Sequence, residues 1–393
     1  MLTERPSASS RDYHLNLLDL RQVGIDPNFW YPVTNIDKLK RRNVLAVSFA
    51  GQPIVVARTK NGRIFALEDR CVHRQMPLHK GVLRGEGIQC AYHGWCYDIR
   101  GKLVNIPYLS DTEMIPAQAR RVRYYSCREA YGLVFVFPGT PEKADTVSLP
   151  DLPEFSSPQY RTMYFERTVE CHYSFMHENL MDMTHQFLHR QLMSSIQPVL
   201  LGYRSGPNWV EAQYKVEGGK PHAGANLMTF GGKDAAVIDR NYELMTIKTD
   251  YPNQELIVYR AHSETPAIRL WTSYVSLDAE QRRHRSFGLL MIRKPRIPGL
   301  IYLAWPVIRY FAESIFAQDR AAVEEEQRAY DVQGADRNCE ISPVLLELRR
   351  ILVSCGVPIT HASKPSALSS LAGATSEPAN GYRFAGPSLD SKR

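Results

Sequence analysis

Short apolar runs separated by turn residues dominate the chain from residue 43 to residue 137. Runs of this kind, with a turn such as Lys60-Asn61-Gly62 between two of them, are typical of antiparallel strands joined by tight connections. The pattern therefore predicts a compact antiparallel β unit with strands at Val44–Phe49, Pro53–Arg58, Ile64–Leu67 and Leu133–Phe137.

Helical and strand-like patterns are mixed in the second half of the chain. A helical pattern covers Cys171–His189 and returns at Ala312–Tyr330. Strand-like runs lie between them at Glu243–Ile247, Leu256–Arg260 and Ser286–Ile292. This order predicts an α+β fold, in which the second domain follows Pro138–Pro158, a stretch with five prolines and little periodicity.

The boundaries that follow from these patterns divide the chain into four segments. We expect an N-terminal segment at 1–27, a first domain at 28–140, a second domain at 141–360 and a tail at 361–393. In the tail, Ala, Ser, Pro and Gly supply more than half of the sequence. Such a segment has too little apolar surface to offset the entropy of ordering it, so we expect the tail to be disordered.

One stretch has the composition of a membrane segment. Gly299–Ala317 is mostly apolar, but it also carries Pro306, Arg309 and Glu313. Because a spanning helix needs about 20 nearly uncharged residues, a buried or amphipathic helix is favoured. Contact of this surface with a membrane or with a hydrophobic substrate stays open.

The composition is that of an ordinary soluble globular protein. Of 393 residues, 44% are hydrophobic and 23% are charged, which excludes wholesale disorder and a multi-span membrane protein. The net charge of +7 is far below that of a dense basic surface, so nucleic acid is not an expected partner. Residues Met1–Val23 lack the apolar run of a signal peptide, which favours a cytoplasmic location.

Two Cys/His pairs follow one another in the first domain, Cys71-Val72-His73 and Cys90-Ala91-Tyr92-His93. Thiolates and imidazoles on two converging loops suit a tetrahedral zinc ion or an iron–sulfur cluster. An odd number of cysteines, seven, argues against a disulfide framework. The spacing alone therefore predicts a metal site and leaves the choice of metal open.

The residues around these pairs, C-V-H-R-Q-M-P-L and C-A-Y-H-G-W-C-Y-D-I-R-G, resemble the Rieske [2Fe–2S] motif. The resemblance implies that Cys71 and Cys90 hold one iron of the cluster while His73 and His93 hold the other. Two imidazoles in place of two thiolates raise the reduction potential. The alternative is a zinc site with two Cys and two His.

A second group of ligand-type residues follows in the sequence. In Asn179-Leu180-Met181-Asp182-Met183-Thr184-His185-Gln186-Phe187-Leu188-His189, a continuous helix would place Asp182, His185 and His189 along one face. Two imidazoles one turn apart can chelate a metal. The motif is not His-Glu-x-x-His, so a zinc protease would lack its general base here.

A Rieske-like domain followed by Asn-Leu-Met-Asp-x-x-His-x-x-x-His is similar to the catalytic α subunits of Rieske non-haem iron oxygenases, over residues 25–335. Within that family, the motif looks most like that of the vanillate O-demethylase and dicamba monooxygenase type. This resemblance implies a helix-grip second domain and a mononuclear Fe(II) held by His185, His189 and a carboxylate. Asp182 would link the cluster of a neighbouring subunit to an iron histidine.

The resemblance places the third iron ligand at Asp319, in the late helix. The family has Glu-Asp where this chain has Gln318-Asp319, and Glu313 and Glu324 are the alternatives. Asn179 would lie just outside the ligands. His172 and His177 are close upstream but do not fit the motif.

The implied function is that of a terminal oxygenase that hydroxylates or demethylates a ring-bearing, fairly hydrophobic molecule with O₂. No Gly-x-Gly-x-x-Gly fingerprint opens a βαβ unit, so a reductase or ferredoxin must supply electrons from NAD(P)H. A head-to-tail homotrimer is implied, and basic residues near the cluster loops would attract an acidic donor. These residues are Arg74, Lys80, Arg84, Arg100 and Lys102.

Three other functions remain open at this stage. Cis-dihydroxylation of an aromatic ring is the alternative within the family. A Rieske electron carrier whose second domain binds a ligand is an alternative of another class, and a zinc-binding interaction module is the third. The substrate pocket is expected among the strands between Leu201 and Ile292.

Overall fold

The computed structural model describes residues 19–109, 115–117, 120–193, 197–217 and 240–359. Within these residues the fold is α+β, and every strand pair is antiparallel. The predicted tail at 361–393 and positions 1–18 of the predicted N-terminal segment lie outside the described residues. So do residues 218–239 of the predicted pocket region.

A six-stranded sheet forms the framework of the first half of the chain. Its strands are β2 Tyr31–Asn35, β3 Val44–Phe49, β4 Gln52–Arg58, β5 Ile64–Glu68, β10 Tyr124–Ala130 and β11 Leu133–Phe137. They lie in the order β2-β11-β10-β5-β4-β3 across the sheet. The four strands predicted from the apolar runs are therefore present, with ends that differ by at most one residue.

Both faces of this sheet are covered, which explains why its strands are continuous apolar runs. In β4, Ile54 and Val56 face the main core of the protein, whereas Val55 and Ala57 face a second, smaller core. The smaller core lies under a four-stranded sheet inserted between β5 and β10. That sheet consists of β6 Val82–Arg84, β7 Gly87–Gln89, β8 Cys96–Asp98 and β9 Leu103–Asn105.

The second half of the chain is built on a seven-stranded sheet. The strands are β12 Tyr160–Val169, β13 Gln197–Ser205, β14 Trp209–Glu217, β15 Glu243–Asp250, β16 Asn253–Tyr259, β17 Pro266–Ser276 and β18 His284–Arg293. Their order across the sheet is β12-β18-β17-β16-β15-β14-β13. Strands β12 and β13 are consecutive in the chain but lie at opposite edges. The segment between them must therefore cross the whole sheet, and this segment carries the Asp182 motif.

Six α-helices are described, at Ile36–Arg42, Pro153–Ser156, Tyr173–Met181, Arg190–Met193, Leu300–Gln333 and Pro343–Cys355. Short 3₁₀ turns lie at Leu20–Gln22, Leu78–Lys80, Pro141–Lys143 and Met183–Phe187. We call Tyr173–Met181 the site helix and Leu300–Gln333 the long helix. Together with the sheet that they cover, they form the helix-grip arrangement that the resemblance implied.

The described end of the N-terminal segment packs beside the site helix. Val23–Gly24 (β1) pairs with Val357–Pro358 (β19), and the buried guanidinium of Arg21 lies 2.5 Å from Glu178. The same carboxylate accepts a hydrogen bond from Arg349, which is also buried. A half-buried carboxylate held by two buried guanidinium groups fixes the back of the site helix, because without it buried positive charge would lose its partner.

The two helices predicted at Gly299–Ala317 and Ala312–Tyr330 form one continuous helix, and Pro306 lies inside it without ending it. One helix prediction was wrong in its extent. The helix predicted over Cys171–His189 is broken at Asp182, whose backbone is extended at φ −82° and ψ 96°.

The apolar stretch Gly299–Ala317 becomes the first half of the long helix, and its buried face and its exposed face both carry apolar residues. One stripe is buried, while the opposite face is exposed and also apolar. Among the described residues this is the one helix long and apolar enough to cross a membrane, and 17% of its most apolar window is buried.

Candidate metal centres

Two loops with the same backbone design carry the Cys/His pairs. In the first, Cys71 N–H donates to Met76 O and Cys71 O accepts from Gln75 N–H. In the second, Cys90 N–H donates to Trp95 O and Cys90 O accepts from Gly94 N–H. The fourth residue after each cysteine has a positive φ, +58° and +73°.

The glycine of the second loop is required by its surroundings. A Cβ at Gly94 would lie 2.7 Å from the Pro107 ring, in a backbone conformation that side chains rarely adopt.

The loops bring the two pairs together with opposite exposure. Cys71 and Cys90 are buried in the smaller core, whereas His73 and His93 are exposed, with ring centroids 4.4 Å apart. Burial raises the pKa of the Cys71 thiol, so that a bound cation rather than bulk solvent must stabilise its thiolate. Two buried sulfurs and two outward imidazoles fit a [2Fe–2S] cluster whose histidine-bound iron faces the surface.

Two aromatic residues that the sequence reasoning missed complete this site. The hydroxyl of Tyr97 lies 3.1 Å from Cys71 Sγ and accepts a hydrogen bond from Val72 N–H. The indole of Trp95 stacks on His73 at 4.7 Å with an interplanar angle of 2°. His79, also on this side of the domain, is paired with Asp69 and lies apart from the four predicted ligands.

The second centre combines residues from two distant segments. The ligand atoms of His185, His189 and Asp319 all lie within 4.8 Å of one another. Asp319 Oδ1 is 3.1 Å from His189 Nε2 and 3.9 Å from His185 Nε2, and the two imidazole rings are perpendicular. This is the one such group of His, Cys, Asp and Glu found among the described residues.

The break at Asp182 produces this convergence, so the predicted straight helix face was wrong. The Asp182 carboxylate accepts hydrogen bonds from Thr184 N–H (2.9 Å) and Thr184 Oγ1 (2.7 Å), which caps a new 3₁₀ turn over Met183–Phe187. A short side chain that bonds the following backbone competes with helix continuation. The turn redirects His185 and His189 toward the long helix.

Both imidazoles are held by their Nδ1 atoms. His185 Nδ1 bonds the backbone carbonyl of Asp182, and His189 Nδ1 bonds Gln318 Oε1 at 2.8 Å. Donation from Nδ1 selects the tautomer that leaves the Nε2 lone pair available for a metal. His189 Nε2 is buried and makes no hydrogen bond with any described residue, although Asp319 lies beside it.

The electrostatics of this centre favour a cation. Burial lowers the pKa of His189, but the neighbouring Asp319 carboxylate and the contact with Gln318 outweigh burial and raise the pKa overall. A carboxylate beside two imidazole nitrogens attracts a divalent metal cation. Two histidines and one carboxylate are the donor set of non-haem Fe(II) oxygenases, and they leave coordination positions open.

Asn179 lies directly beside the three ligand-type residues. Its side-chain amide donates to Asp319 Oδ1 at 3.1 Å. The two alternative carboxylates lie elsewhere: Glu313 pairs with Arg167, while Glu324 accepts from the backbone N–H of Glu170. The structure thus brings Asn179 to the centre and leaves both alternatives outside it.

The two upstream histidines are part of the core. His172 bonds Ser174 Oγ and caps the site helix, while His177 packs against Tyr274. Burial lowers the pKa of His177 to about 3, and it lowers that of the neighbouring His284 to about 4. Neutral, buried imidazoles in an apolar setting are structural here.

One chain therefore carries a site that fits an iron–sulfur cluster and a site that fits a mononuclear iron. An oxygenase that draws its electrons from a cluster needs both sites. Comparison with known proteins agrees. Residues 29–120 match the Rieske [2Fe-2S] domain family, and residues 169–355 match the vanillate O-demethylase oxygenase C-terminal domain family. The chain belongs to the Rieske non-haem iron oxygenases and is a catalytic subunit of that family.

Two relatives show how the similarity is distributed. A 4beta-methylsterol monooxygenase of Methylococcus capsulatus is 27% identical over 342 residues, covering 84% of this chain and 89% of that protein. The oxygenase component of dicamba O-demethylase from Stenotrophomonas maltophilia is 31% identical over 197 residues, covering 49% of this chain and 57% of that protein.

Solved structures support the same fold. Dicamba monooxygenase bound to dicamba superimposes with a TM-score of 0.66 at 23% identity, over 84% of this chain and 97% of that one. NdmA of Pseudomonas putida CBB5 with caffeine superimposes with a TM-score of 0.63 at 21% identity, over 87% of this chain and 90% of that one. The predicted fold class is confirmed.

Proposed function

We propose that this chain is a terminal monooxygenase that inserts one oxygen atom of O₂ into a C–H bond of a ring-bearing, fairly hydrophobic small molecule. Two electrons and two protons reduce the second oxygen atom to water. Insertion leaves an alcohol, or, next to O or N, a hemiacetal-type carbon that is lost as formaldehyde. The convergence of His185, His189 and Asp319 in a chain that also carries the Rieske-type loops supports this function most strongly.

In this proposal His185, His189 and Asp319 hold the mononuclear iron, and bound Fe(II) supplies the reductive chemistry of O₂. The chain's own residues orient these ligands. Asn179 donates to the Asp319 carboxylate, and Gln318 holds the His189 ring through Nδ1. Each contact restricts a ligand rotamer, so that the open side of the site keeps one geometry.

Cys71, Cys90, His73 and His93 hold the cluster in this proposal, and Asp182 connects it to the second centre. Because His73 and His93 are exposed, their edge is available to a neighbouring subunit. The backbone carbonyl of Asp182 already bonds His185 Nδ1. A path from the cluster-binding loops of one subunit to Asp182 and His185 of the next would require a head-to-tail assembly, which a homotrimer closes.

The electron donor is a reductase or ferredoxin that draws on NAD(P)H. Five basic side chains near the cluster loops are exposed and would attract an acidic donor surface. They are Arg74, Lys80, Arg84, Arg100 and Lys102.

The names of the relatives support the substrate class, because a methylsterol and dicamba are both ring compounds. They differ widely in size, and the proposal therefore names the class alone. We assign residues 28–140 to the Rieske domain and 141–360 to the catalytic domain, on which the described residues 19–27 of the N-terminal segment pack. A cytoplasmic location accords with a donor that uses NAD(P)H.

Iron content and product analysis test this function. The purified protein should hold about three irons per chain, two in the cluster and one outside it. After anaerobic reduction, O₂ and candidate ring compounds should yield hydroxylated or demethylated products by mass. Two irons per chain without product would indicate an electron carrier, a colourless zinc protein would indicate an interaction module, and a cis-diol would indicate a dioxygenase.

A further inference from the structure

The first three turns of the long helix expose an apolar face. Ile301, Ala304, Ile308 and Phe311 are buried, at spacings of three and four residues that place them on one stripe. The side chains on the opposite side are apolar and exposed. They are Tyr302 (59% exposed), Leu303 (80%), Val307 (50%) and Tyr310 (73%), which we call the apolar face.

The apolar face belongs to a helix that is fixed to the protein. Arg161, on β12, lies over the Tyr302 ring at 4.3 Å and over the Trp305 ring at 4.2 Å. Further along the helix, Phe316 packs on Phe165 at 5.6 Å. Contacts within the apolar face and beyond its end therefore fix this part of the helix to the protein.

A spanning arrangement is incompatible with these contacts. The apolar face extends over about 12 Å of helix axis, whereas the hydrocarbon core of a bilayer is about 30 Å thick. The same helix carries Asp319 at the metal centre, two and a half turns after Tyr310. The helix can therefore lie on a bilayer surface but cannot leave the catalytic domain to cross it.

The charged residues closest to the apolar face in the sequence are basic. Between residues 294 and 312 they are Lys294, Arg296 and Arg309, and the next one, Glu313, pairs with Arg167. Arg296 and Arg309 are exposed beside the face, and Ile297, 65% exposed, extends its apolar surface. Exposed tyrosines and leucines with basic residues at their edge are typical of helices that bind the interface of anionic membranes.

We propose that the apolar face docks this protein on an anionic bilayer surface. Leu303, Val307 and the two tyrosines enter the headgroup region, while Arg296 and Arg309 contact lipid phosphates. The metal centre then lies about 14 Å from the membrane contact along the helix. A hydrophobic substrate dissolved in the bilayer would reach the catalytic domain without crossing water. The docking itself does not depend on which reaction the centre performs.

Vesicle binding by the full-length holoprotein tests this proposal. The protein is sedimented with vesicles of phosphatidylcholine alone and of phosphatidylcholine mixed with phosphatidylglycerol. We expect strong binding to the anionic vesicles, weak binding to the neutral ones, and release by salt. Leu303→Glu should reduce anionic-vesicle binding by at least about tenfold, since it places a charge where an apolar side chain would enter the lipid.

Val332→Glu is the matched control, because Val332 lies on the same helix, is 87% exposed and is outside the apolar face. It should bind as the unmodified protein does. Arg296→Glu with Arg309→Glu should abolish the preference for phosphatidylglycerol. Iron content and the visible spectrum of the cluster, unchanged in all variants, establish that each has folded.

Three results would overturn the proposal. The unmodified protein could remain in solution with both vesicle types. Leu303→Glu could instead change the sedimenting mass in solution, which would make the face a contact between copies of this chain. It could also slow reduction of the cluster by the donor protein while vesicle binding stays absent, which would make the face a donor site.

Discussion

Single side chains tune the two centres, and Tyr97 is the clearest case at the cluster. Its hydroxyl is 3.1 Å from Cys71 Sγ. A hydrogen bond to a cluster sulfur stabilises the reduced, more negative state. We predict that Tyr97→Phe lowers the reduction potential of the cluster by tens of millivolts, measured by a redox titration followed by electron paramagnetic resonance.

Tyr125→Phe is the control for this measurement, because Tyr125 is buried in the main core and not under the cluster loops. It should leave the potential unchanged. An unchanged potential in Tyr97→Phe as well would show that the hydroxyl does not act on the cluster.

Gln318 is the corresponding side chain at the iron centre. It accepts the Nδ1 proton of His189, and removing such a partner typically costs 10- to 100-fold in metal affinity. We predict that Gln318→Ala weakens Fe(II) binding by about that factor, measured by titration of the metal-free protein, whereas Gln318→Glu retains it. Equal affinities in Gln318→Ala and the unmodified protein would contradict this role.

At the residue scale, motifs were predictable and supporting contacts were not. Cys71, His73, Cys90 and His93 are recognisable because their spacing is local. Tyr97 reaches Cys71 across 26 residues of sequence, and no local pattern indicates such a contact.

Among the elements, the contact between the site helix and the seven-stranded sheet buries two histidines whose protonation depends on folding, His177 on the helix and His284 on β18. Burial holds the pKa of His177 near 3 and that of His284 near 4, below the ordinary value of 6.5. The unfolded chain therefore binds more protons than the folded one below pH 6.5. Stability is fully present above that pH and falls as the pH drops toward 4.

We predict that the free energy of unfolding in urea loses about 1.4 kcal/mol per pH unit for each of these histidines in that window. His284→Gln should remove one histidine's share of the slope, even though it lowers stability at pH 8 by disrupting the bond to Cys171 O. An unchanged slope in this variant would show that His284 is not the titrating group.

The elements also show where pattern reasoning stops. The strands of the first sheet were predictable because both faces are buried and the apolar runs are continuous. The break at Asp182 was not, since the same residues fit a helix face at 3.6 residues per turn and a capped 3₁₀ turn. The first half of the long helix was predictable from its apolar run, but Pro306 gave no sign that it continues without a break into the second half.

At the scale of the whole molecule, the proposed function needs electrons to pass between subunits through Asp182. We predict that Asp182→Ala retains both metal centres and normal reduction of the cluster by the donor, yet loses turnover by at least about a hundredfold. Stopped-flow absorbance follows cluster reduction and reoxidation separately. Because the Asp182 carboxylate also caps the 3₁₀ turn, Asp182→Asn serves as the variant that keeps the cap.

Full turnover in both Asp182 variants would contradict this route. Loss of turnover in Asp182→Ala alone would indicate that the cap, and not the electron path, is what matters. A protein that is monomeric at working concentrations and still active would also exclude electron transfer between subunits.

The most direct test of the proposed oxygen insertion is a single turnover without any donor protein. The protein is reduced anaerobically, freed of reductant and mixed with a ring-bearing substrate and isotopically labelled O₂. We predict a hydroxylated product that carries one labelled oxygen atom, or, from a methyl ether or methylamine, a demethylated product with an equal amount of formaldehyde. The amount should not exceed that of the mononuclear iron. His185→Ala should keep the cluster and form neither product. Product from His185→Ala, or a hydroxylated product of the unmodified protein that carries no label, would contradict the proposed function.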